Sequence, residues 1–299
     1  MKLAQLLHNP GAGEEAHSKK ELISLIEETL DLECRYFSTK EKEWKDIEPG
    51  IDLLIIAGGD GTVRKVSREL LNRKRIDRQV PIALLPLGTA NNIAKTLDLM
   101  GDVKDIVKRW RKRIIKKFDI GRLEGIPEQQ FFLEGFGYGI FPSLIKQMRE
   151  HDKELKSMPD EKMKKAIEVL VEIIQTKKPF SCSVEIDGVD HSGNYILVEV
   201  MNIQSVGPNL RLAPHADPGD GRLEVVLLTE QHRDQLLSQL EKDDPDTDMA
   251  FPSFKGSSIH LHCEDSRLHI DDELVKIVQP GPVHIEAQVG MLDFLVKGE

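Results

Sequence analysis

Three short strings in this sequence carry residue types suited to handling a polyphosphate. The strongest is Gly58-Gly59-Asp60-Gly61-Thr62, which follows the apolar run of residues 51–57 and precedes a helical pattern. Glycines there let the backbone approach a ligand closely and reach angles closed to other residues. Their amides converge at a helix N-terminus, where unsatisfied N–H groups and the helix dipole favour an anion. A carboxylate inside an anion site needs an intervening cation, and Mg²⁺ bridging Asp60 and a triphosphate supplies one. The plainer alternative is a tight turn with Thr62 as N-cap. The second string is Pro86-Leu87-Gly88-Thr89-Ala90-Asn91-Asn92, again after an apolar run and opening a helix. Gly88 permits close approach, Thr89 can cap or bond a phosphate, and the Asn91 and Asn92 amides can hold a sugar, a phosphate or a water. Taken alone it also suits an ordinary capped turn. The third, Asn9-Pro10-Gly11-Ala12-Gly13, is another small-residue loop after the first strand.

A carboxylate pair appears late in the chain. Asp271-Asp272-Glu273 lies between short strands at 269–270 and 274–278, so it occupies a turn. A carboxylate within hydrogen-bond reach of an alcohol can take its proton as the oxygen attacks a γ-phosphoryl group. The alternative is a hairpin turn with solvated acids. Residues 217–222 (DPGDGR) form a tight acidic turn, read from the residues alone as an Asx or Gly turn into the next strand.

The elements that must position these strings change character along the chain. Residues 2–7, 32–37, 51–57 and 81–85 read as strands, and 18–30, 63–72 and 90–97 read as helices. The run at 51–57 (IDLLIIA) is apolar throughout, as a strand buried on both faces must be. Alternation at this rhythm predicts βαβ units and a parallel sheet, with ligands at the carboxyl ends of the strands. After about residue 113 the chain becomes a series of short strands: 114–123, 130–136, 180–186, 193–202, 223–228, 258–263, 267–270, 274–278, 283–287 and 291–296. Helices at 142–156, 160–175 and 231–240 interrupt it, the last leading into an acidic loop at 241–248. Many short strands predict an antiparallel sandwich or barrel-like domain. The expected fold class is therefore α/β. A parallel-sheet nucleotide-binding domain over residues 1–118 precedes a β-rich sandwich domain over 119–299, with the cleft between them as the default site.

Composition sets outer bounds. The 299 residues carry 41 basic and 51 acidic side chains, a net charge of −10, which argues against a dedicated nucleic-acid binder. The three cysteines, Cys34, Cys182 and Cys263, are scattered and form no CxxC, so buried or idle thiols in a reducing compartment are expected. No apolar run approaches the roughly 20 residues of a membrane-spanning helix. The first residues read as a strand rather than a signal peptide. A soluble, cytoplasmic protein is expected. Residues 104–117 hold eight basic residues and one acid around Trp110. That is either a solvated helix face or a peripheral docking patch for an anionic membrane, with tryptophan at the interface.

In order along the chain these strings resemble the diacylglycerol kinase catalytic-domain family of lipid kinases, which includes bacterial soluble lipid kinases and, more distantly, sphingosine and ceramide kinases. The family pattern runs N-P-x-x-G, G-G-D-G-T, P-x-G-T-x-N-D-x-A, A-P-x-A-x-x-x-D-G and D-G-E. Here it is matched by residues 9–13, 58–62, 86–94, 213–221 and 271–273. The resemblance implies a nucleotide domain like that of NAD kinases and phosphofructokinases, and a last strand, 291–296, that returns to it. It implies an ATP- and Mg²⁺-dependent kinase acting on a lipid hydroxyl, diacylglycerol or a relative, at a membrane surface. ATP would be held by Asn9, Thr39, Gly58, Gly59, Asp60, Gly61, Thr62, Gly88, Thr89 and Asn91. Asp60 would face Mg²⁺, Asp271 would be the base and Glu273 would assist it or help hold the catalytic metal. A structural Mg²⁺ is implied at the Asp220 carboxylate with carbonyls near Asp217 and Arg222. The remaining partner expectations are a homodimer and no nucleic acid. Three departures stand out. Arg64 and Lys65 occupy the region of a family glutamate, Asn92 replaces an aspartate, and Asp272 replaces the glycine of D-G-E, where aspartate tolerates a left-handed turn. The glycine-rich run before A-P is thinned to residues 206–210, so the acceptor is open. The rivals are an NAD kinase, and a nucleotide-binding regulatory protein without turnover.

Overall fold

Apolar residues that leave no polar face dictate a strand covered on both sides, and Leu53–Gly58 is such a strand, buried at every position. In the computed structural model it is central to a parallel sheet. The structure describes residues 2–12, 18–72, 79–151, 159–240, 251–277, 279 and 281–298. Gly13 and the acidic loop at 241–248 lie outside them. The chain divides into two compact units, Met1–Phe118 with Gly290–Glu299, and Asp119–Val289.

In the first unit, strand β1 (Leu3–His8) runs parallel to β2 (Glu33–Ser38) on one side and to β3 (Leu53–Gly58) on the other. Strand β4 (Ile82–Pro86) pairs parallel with β3, and Phe294 of the returning C-terminal strand lies beside Ile82. The order is therefore β2-β1-β3-β4-C-terminal strand. Helix α1 (Lys19–Leu30) begins with a capping box, in which Ser18 accepts from the Glu21 amide and Glu21 accepts from the Ser18 amide. It buries Leu22 and Ile26. Helix α2 (Asp60–Leu71) follows β3 directly, and α3 (Asn92–Thr96) follows β4. Helix α4 (Val103–Arg109) packs against α1 and adds Ile106 and Val107 to the core.

The second unit is built on an antiparallel sheet. Its strands, in spatial order, are Ser253–Gly256, Leu223–Leu228, Leu197–Met201, Gly135–Gly139, Arg267–Ile270 and Glu273–Lys276. One face packs Phe136, Tyr138, Val198, Val200, Leu268 and Ile270 against Val184, Ile186, Ile259 and Leu261 of the strands Phe180–Ile186 and Ser258–Cys263. That is the expected sandwich. The opposite face packs against the helices Ile140–His151, Pro159–Thr176 and Arg233–Leu240. Alternation along a strand sends successive residues to opposite faces, so Gly135 and Gly137 lie on the helix side.

The cysteine expectation is corrected. Cys182 and Cys263 stand directly opposite each other on antiparallel neighbours and are joined as a disulfide. Strand pairing of residues 81 positions apart brought them together, which local sequence does not reveal. Cys34 is a buried free thiol, which burial pushes up to about 12.

Candidate active site

The loops predicted to hold phosphate share one edge of the first unit's sheet. His8 pairs with Ser38 and with Ala57, and Gly58 pairs with Pro86. The chain therefore leaves the sheet toward Asn9, Thr39, Gly59 and Leu87 at the same carboxyl edge. The order β2-β1-β3 reverses direction at β1, which places Asn9 and residues 58–62 at the point where open parallel sheets bind ligands. The two loops are tied there, since the Asn9 side-chain amide donates to Thr62 Oγ1 at 3.2 Å. Thr39 donates its backbone N–H to the His8 carbonyl at 2.8 Å.

The glycines serve a purpose that the sequence reading did not identify. A Cβ on Gly88 would lie 2.3 Å from the Gly59 Cα, and one on Gly59 would lie 2.9 Å from the Gly88 Cα. They let two loops touch each other, in addition to any ligand. Asn91 sits at φ 52 and closes its own turn, accepting from the Gly88 amide at 2.9 Å and donating to the Gly88 carbonyl at 2.6 Å. Its side chain thereby shapes the loop. Thr89 is exposed at the tip. Gly59, not Thr62, is the N-cap of α2, and it has no side chain with which to cap. In the first turn of α2 the Thr62 and Val63 amides donate to the Gly59 carbonyl at 2.8 and 3.1 Å, and only the amides before Thr62 precede every helix carbonyl that could accept them.

Both Asp60 carboxylate oxygens have main-chain partners. Its Oδ2 accepts from the Asn92 amide at 3.0 Å and its Oδ1 from the Ile93 amide at 3.1 Å. The carboxylate thereby caps α3 from the start of α2 and locks the two loops in register. Among the described residues no group of three or more His, Cys, Asp or Glu side chains is placed to hold a metal. Arg64 is buried and Lys65 exposed, so of the two departures only Arg64 reaches the interior.

The structural Mg²⁺ implied at residues 217–222 does not fit the side chains present. Asp217 Oδ1 accepts from the Gly219 amide, and Asp220 Oδ1 from the Arg222 amide. Asp220 Oδ2 is taken by the Lys255 ammonium at 2.9 Å, which also lies 3.5 Å from the His215 carbonyl and 3.5 Å from Glu224 Oε1. The Asp220 bond raises the Lys255 pKa. Of the implied ligands, the Asp220 carboxylate is thus already held by an ammonium and an amide. The turn is anchored instead by buried Asp119, which accepts from the Gly221 amide at 2.7 Å and donates its own N–H to the Pro218 carbonyl. The thermal midpoint of the nucleotide-free protein is therefore expected to be the same in EDTA and in Mg²⁺. A site with a Kd of about 0.1 mM would add about 1.4 kcal/mol at about 1 mM Mg²⁺, a rise of about 3 °C. A rise of that size, lost on substituting Asp220, would restore the metal assignment.

Asp271 is the first residue of a two-residue hairpin turn between Arg267–Ile270 and Glu273–Lys276, and it sits at φ 52. The left-handed conformation expected of Asp272 falls on Asp271 instead, while Asp272 is exposed. The Asp271 carboxylate is buried in a nest of main-chain donors. Oδ1 accepts from the amides of Leu133 (3.1 Å), Glu134 (2.7 Å) and Gly135 (3.2 Å), and Oδ2 shares the Leu133 amide at 3.2 Å. The nest is braced from behind by buried Asn202, which donates to the carbonyls of Leu133 and Asp119. Glu273 is half-buried and accepts from Gln129 at 3.2 Å.

Two residues that the sequence reading missed lie next to Asp271. His269 and Glu199 are both 0% exposed, with Nε2 and Oε2 at 2.9 Å. His269 Nδ1 lies 2.8 Å from the Asp271 carbonyl oxygen. Both align with Gly137 across the sheet, one from each side. A Cβ on Gly137 would overlap Glu199 Oε2, so the glycine provides the space in which the two side chains meet. Burial raises the Glu199 pKa. Burial alone disfavours a charged His269, but Glu199 together with the Asp271 carbonyl and carboxylate raises the histidine as well. The pair thus keeps one proton between Oε2 and Nε2, since losing it would leave a bare buried carboxylate.

The basic side chains of residues 104–117 are exposed or half-buried, and Ile106, Val107 and Trp110 are buried. Trp110 is 2% exposed and belongs to the core, which removes it as an interfacial anchor. Arg111 and Arg113 line a cavity with Lys2, Leu32 and Leu53, at the amino ends of the strands and away from the phosphate loops. No described helix is long and apolar enough to cross a membrane.

The geometry can be set beside known proteins. The model of the diacylglycerol kinase catalytic domain matches residues 4–123, and that of the YegS C-terminal NAD kinase beta sandwich-like domain matches residues 153–244. A Bacillus subtilis (strain 168) protein named diacylglycerol kinase is 26% identical over 76% of this chain and 74% of its own length. A Staphylococcus aureus relative, 24% identical, is matched over 69% of this chain and 63% of its own length. The crystal structure of a diacylglycerol kinase from Bacillus anthracis superposes with a TM-score of 0.73 at 22% identity, covering 99% of this chain and 96% of that one. An NAD kinase from Archaeoglobus fulgidus in complex with ATP gives 0.53 at 13% identity, covering 99% and 94%. At these identities the structural likenesses speak for the fold.

Proposed function

We propose that this chain, which belongs to the diacylglycerol kinase catalytic-domain family, is a kinase that transfers the γ-phosphoryl group of ATP to the hydroxyl of diacylglycerol or a closely related lipid. The observation that carries the reading is the amino end of α2. It opens at the carboxyl edge of the parallel sheet with a glycine as N-cap, beside Asn9 and the 86–91 turn. Unsatisfied amides at a helix start attract phosphate, and Asn9, residues 58–62 and Gly88 are the groups that would meet the nucleotide's phosphates. The carboxylate of Asp60 gives these loops their shape.

On the acceptor side, Asp271 is the base. The lipid oxygen forms its bond to the γ-phosphorus, the bond from that phosphorus to the β,γ-bridging oxygen breaks to release ADP, and the hydroxyl proton passes to Asp271 Oδ2. Oδ1, held by three amides, keeps the carboxylate aimed. Mg²⁺ arriving with ATP would neutralise phosphate charge. No protein metal cluster is required for that role.

Labelled ATP offered with diacylglycerol in mixed micelles, with other lipid alcohols, and with NAD tests the reading. Label in phosphatidic acid is the expected result. Label in NADP instead would replace the acceptor with a dinucleotide. ATP binding with no labelled product from any acceptor would leave a nucleotide-binding protein without turnover.

A further inference from the structure

Asp271 sits at φ 52, a left-handed conformation that aspartate tolerates better than most residues and that neighbouring groups hold in place here. Its amide donates to the Gly135 carbonyl at 2.8 Å, its carboxylate lies in the nest at 133–135, and its carbonyl meets His269. A carbonyl can only accept, so Nδ1 of His269 carries the hydrogen in that contact. Nε2 is then left to Glu199. Two fully buried ionisable side chains are costly to retain for stability alone. Here they are accommodated by a glycine in the strand between them, and the Phe141 ring packs edge-on against the imidazole at 5.7 Å.

We propose that Glu199 and His269 are a positioning pair for the reaction: Glu199 fixes the imidazole ring and its tautomer, and His269 in turn holds the Asp271 carbonyl, so that the turn keeps the base aimed at the acceptor hydroxyl. The inference rests on Asp271 being the base. Neither residue touches substrate. The proton between Oε2 and Nε2 stays within the pair, and the proton that turnover releases goes to Asp271. Misaiming a general base by a fraction of an ångström slows transfer without changing nucleotide binding.

Two histidine substitutions separate the bonds. The side-chain nitrogen of asparagine can stand in for Nδ1, and that of glutamine for Nε2. His269→Asn is expected to keep kcat within about fivefold, and His269→Gln to lower it by about 10–100-fold, with KM for ATP within about twofold in both. Glu199→Gln should fall between them. Rates are to be taken per folded protein, counted by nucleotide binding. Equal kcat losses in the two histidine variants, or wild-type kcat in His269→Gln, would overturn the proposal. If the variants do not fold, ¹⁵N-histidine spectra of the wild-type protein still decide. An Nδ1-protonated, exchange-protected His269 is expected, and a ring protonated only at Nε2 would overturn the pair's assignment. Failure of the underlying reading is read separately, as full activity of an Asp271 variant.

Discussion

Asp271→Asn is expected to lower kcat by about 10²–10⁴-fold, the range for loss of a general base, while ATP affinity stays within a factor of about two. The substitution isolates one oxygen. The retained amide oxygen can still accept from Leu133, Glu134 and Gly135, the contacts that Oδ1 makes now. The nitrogen that replaces Oδ2 cannot take a proton from an alcohol. The fold and the nucleotide site, which use residues of the other unit, should survive. Asp271→Ala is expected to lose the same activity and also to leave buried amides unsatisfied, at about 1–3 kcal/mol for each group stranded. Its thermal midpoint should fall below that of Asp271→Asn. Rate and stability thus separate the base from the anchor. A fully active Asp271→Asn protein would remove the assignment.

Gly88→Ala is expected to have the second largest effect, on ATP binding. The backbone of Gly88 is not left-handed, so alanine meets no conformational obstacle there. The obstacle is the Gly59 Cα at 2.3 Å, which is main chain and cannot swing aside. Parting the loops strains the Asp60 bonds to the Asn92 and Ile93 amides. Overpacking of this kind costs about 1–3 kcal/mol, and affinity for ATP should fall by about 5–150-fold if that cost falls on the bound state. Calorimetric titration checks it. Unchanged affinity would show that the contact between the loops is not needed to form the site.

The parts of this account that were legible in the sequence are those set by short-range pattern. Residues 51–57 announced a strand covered on both faces, and the glycines after it announced a turn into a helix. The repeat of that arrangement at residues 81–92 implied a shared edge, because parallel strands with intervening helices have nowhere else to put such turns. The turn position of Asp271 was legible from the strands on either side, and its role as base came from the family resemblance. The features that were not legible depend on register between distant segments. That Asp60 caps a helix 32 residues away, and that Gly59 and Gly88 abut, follows from the β3–β4 pairing. Glu199 and His269 are 70 residues apart and meet because both strands align with Gly137. An isolated Glu or His in an apolar strand gives no local sign of a partner. The string Gly-Phe-Gly-Tyr-Gly at 135–139 was the available clue, since alternate glycines in a buried strand mark a face on which something large must fit. Lys255 likewise reached the 217–222 turn through strand pairing, where the family resemblance had implied a metal.

The central claim is that the carboxyl-edge loops of the first unit hold the phosphates of ATP. Amide hydrogen exchange with and without MgATP tests it most directly. At about ten times Kd, amides of residues 58–62 and 88–91 are predicted to exchange about tenfold more slowly. Saturating ATP, verified by calorimetry, that leaves these amides unchanged and protects another segment would contradict it.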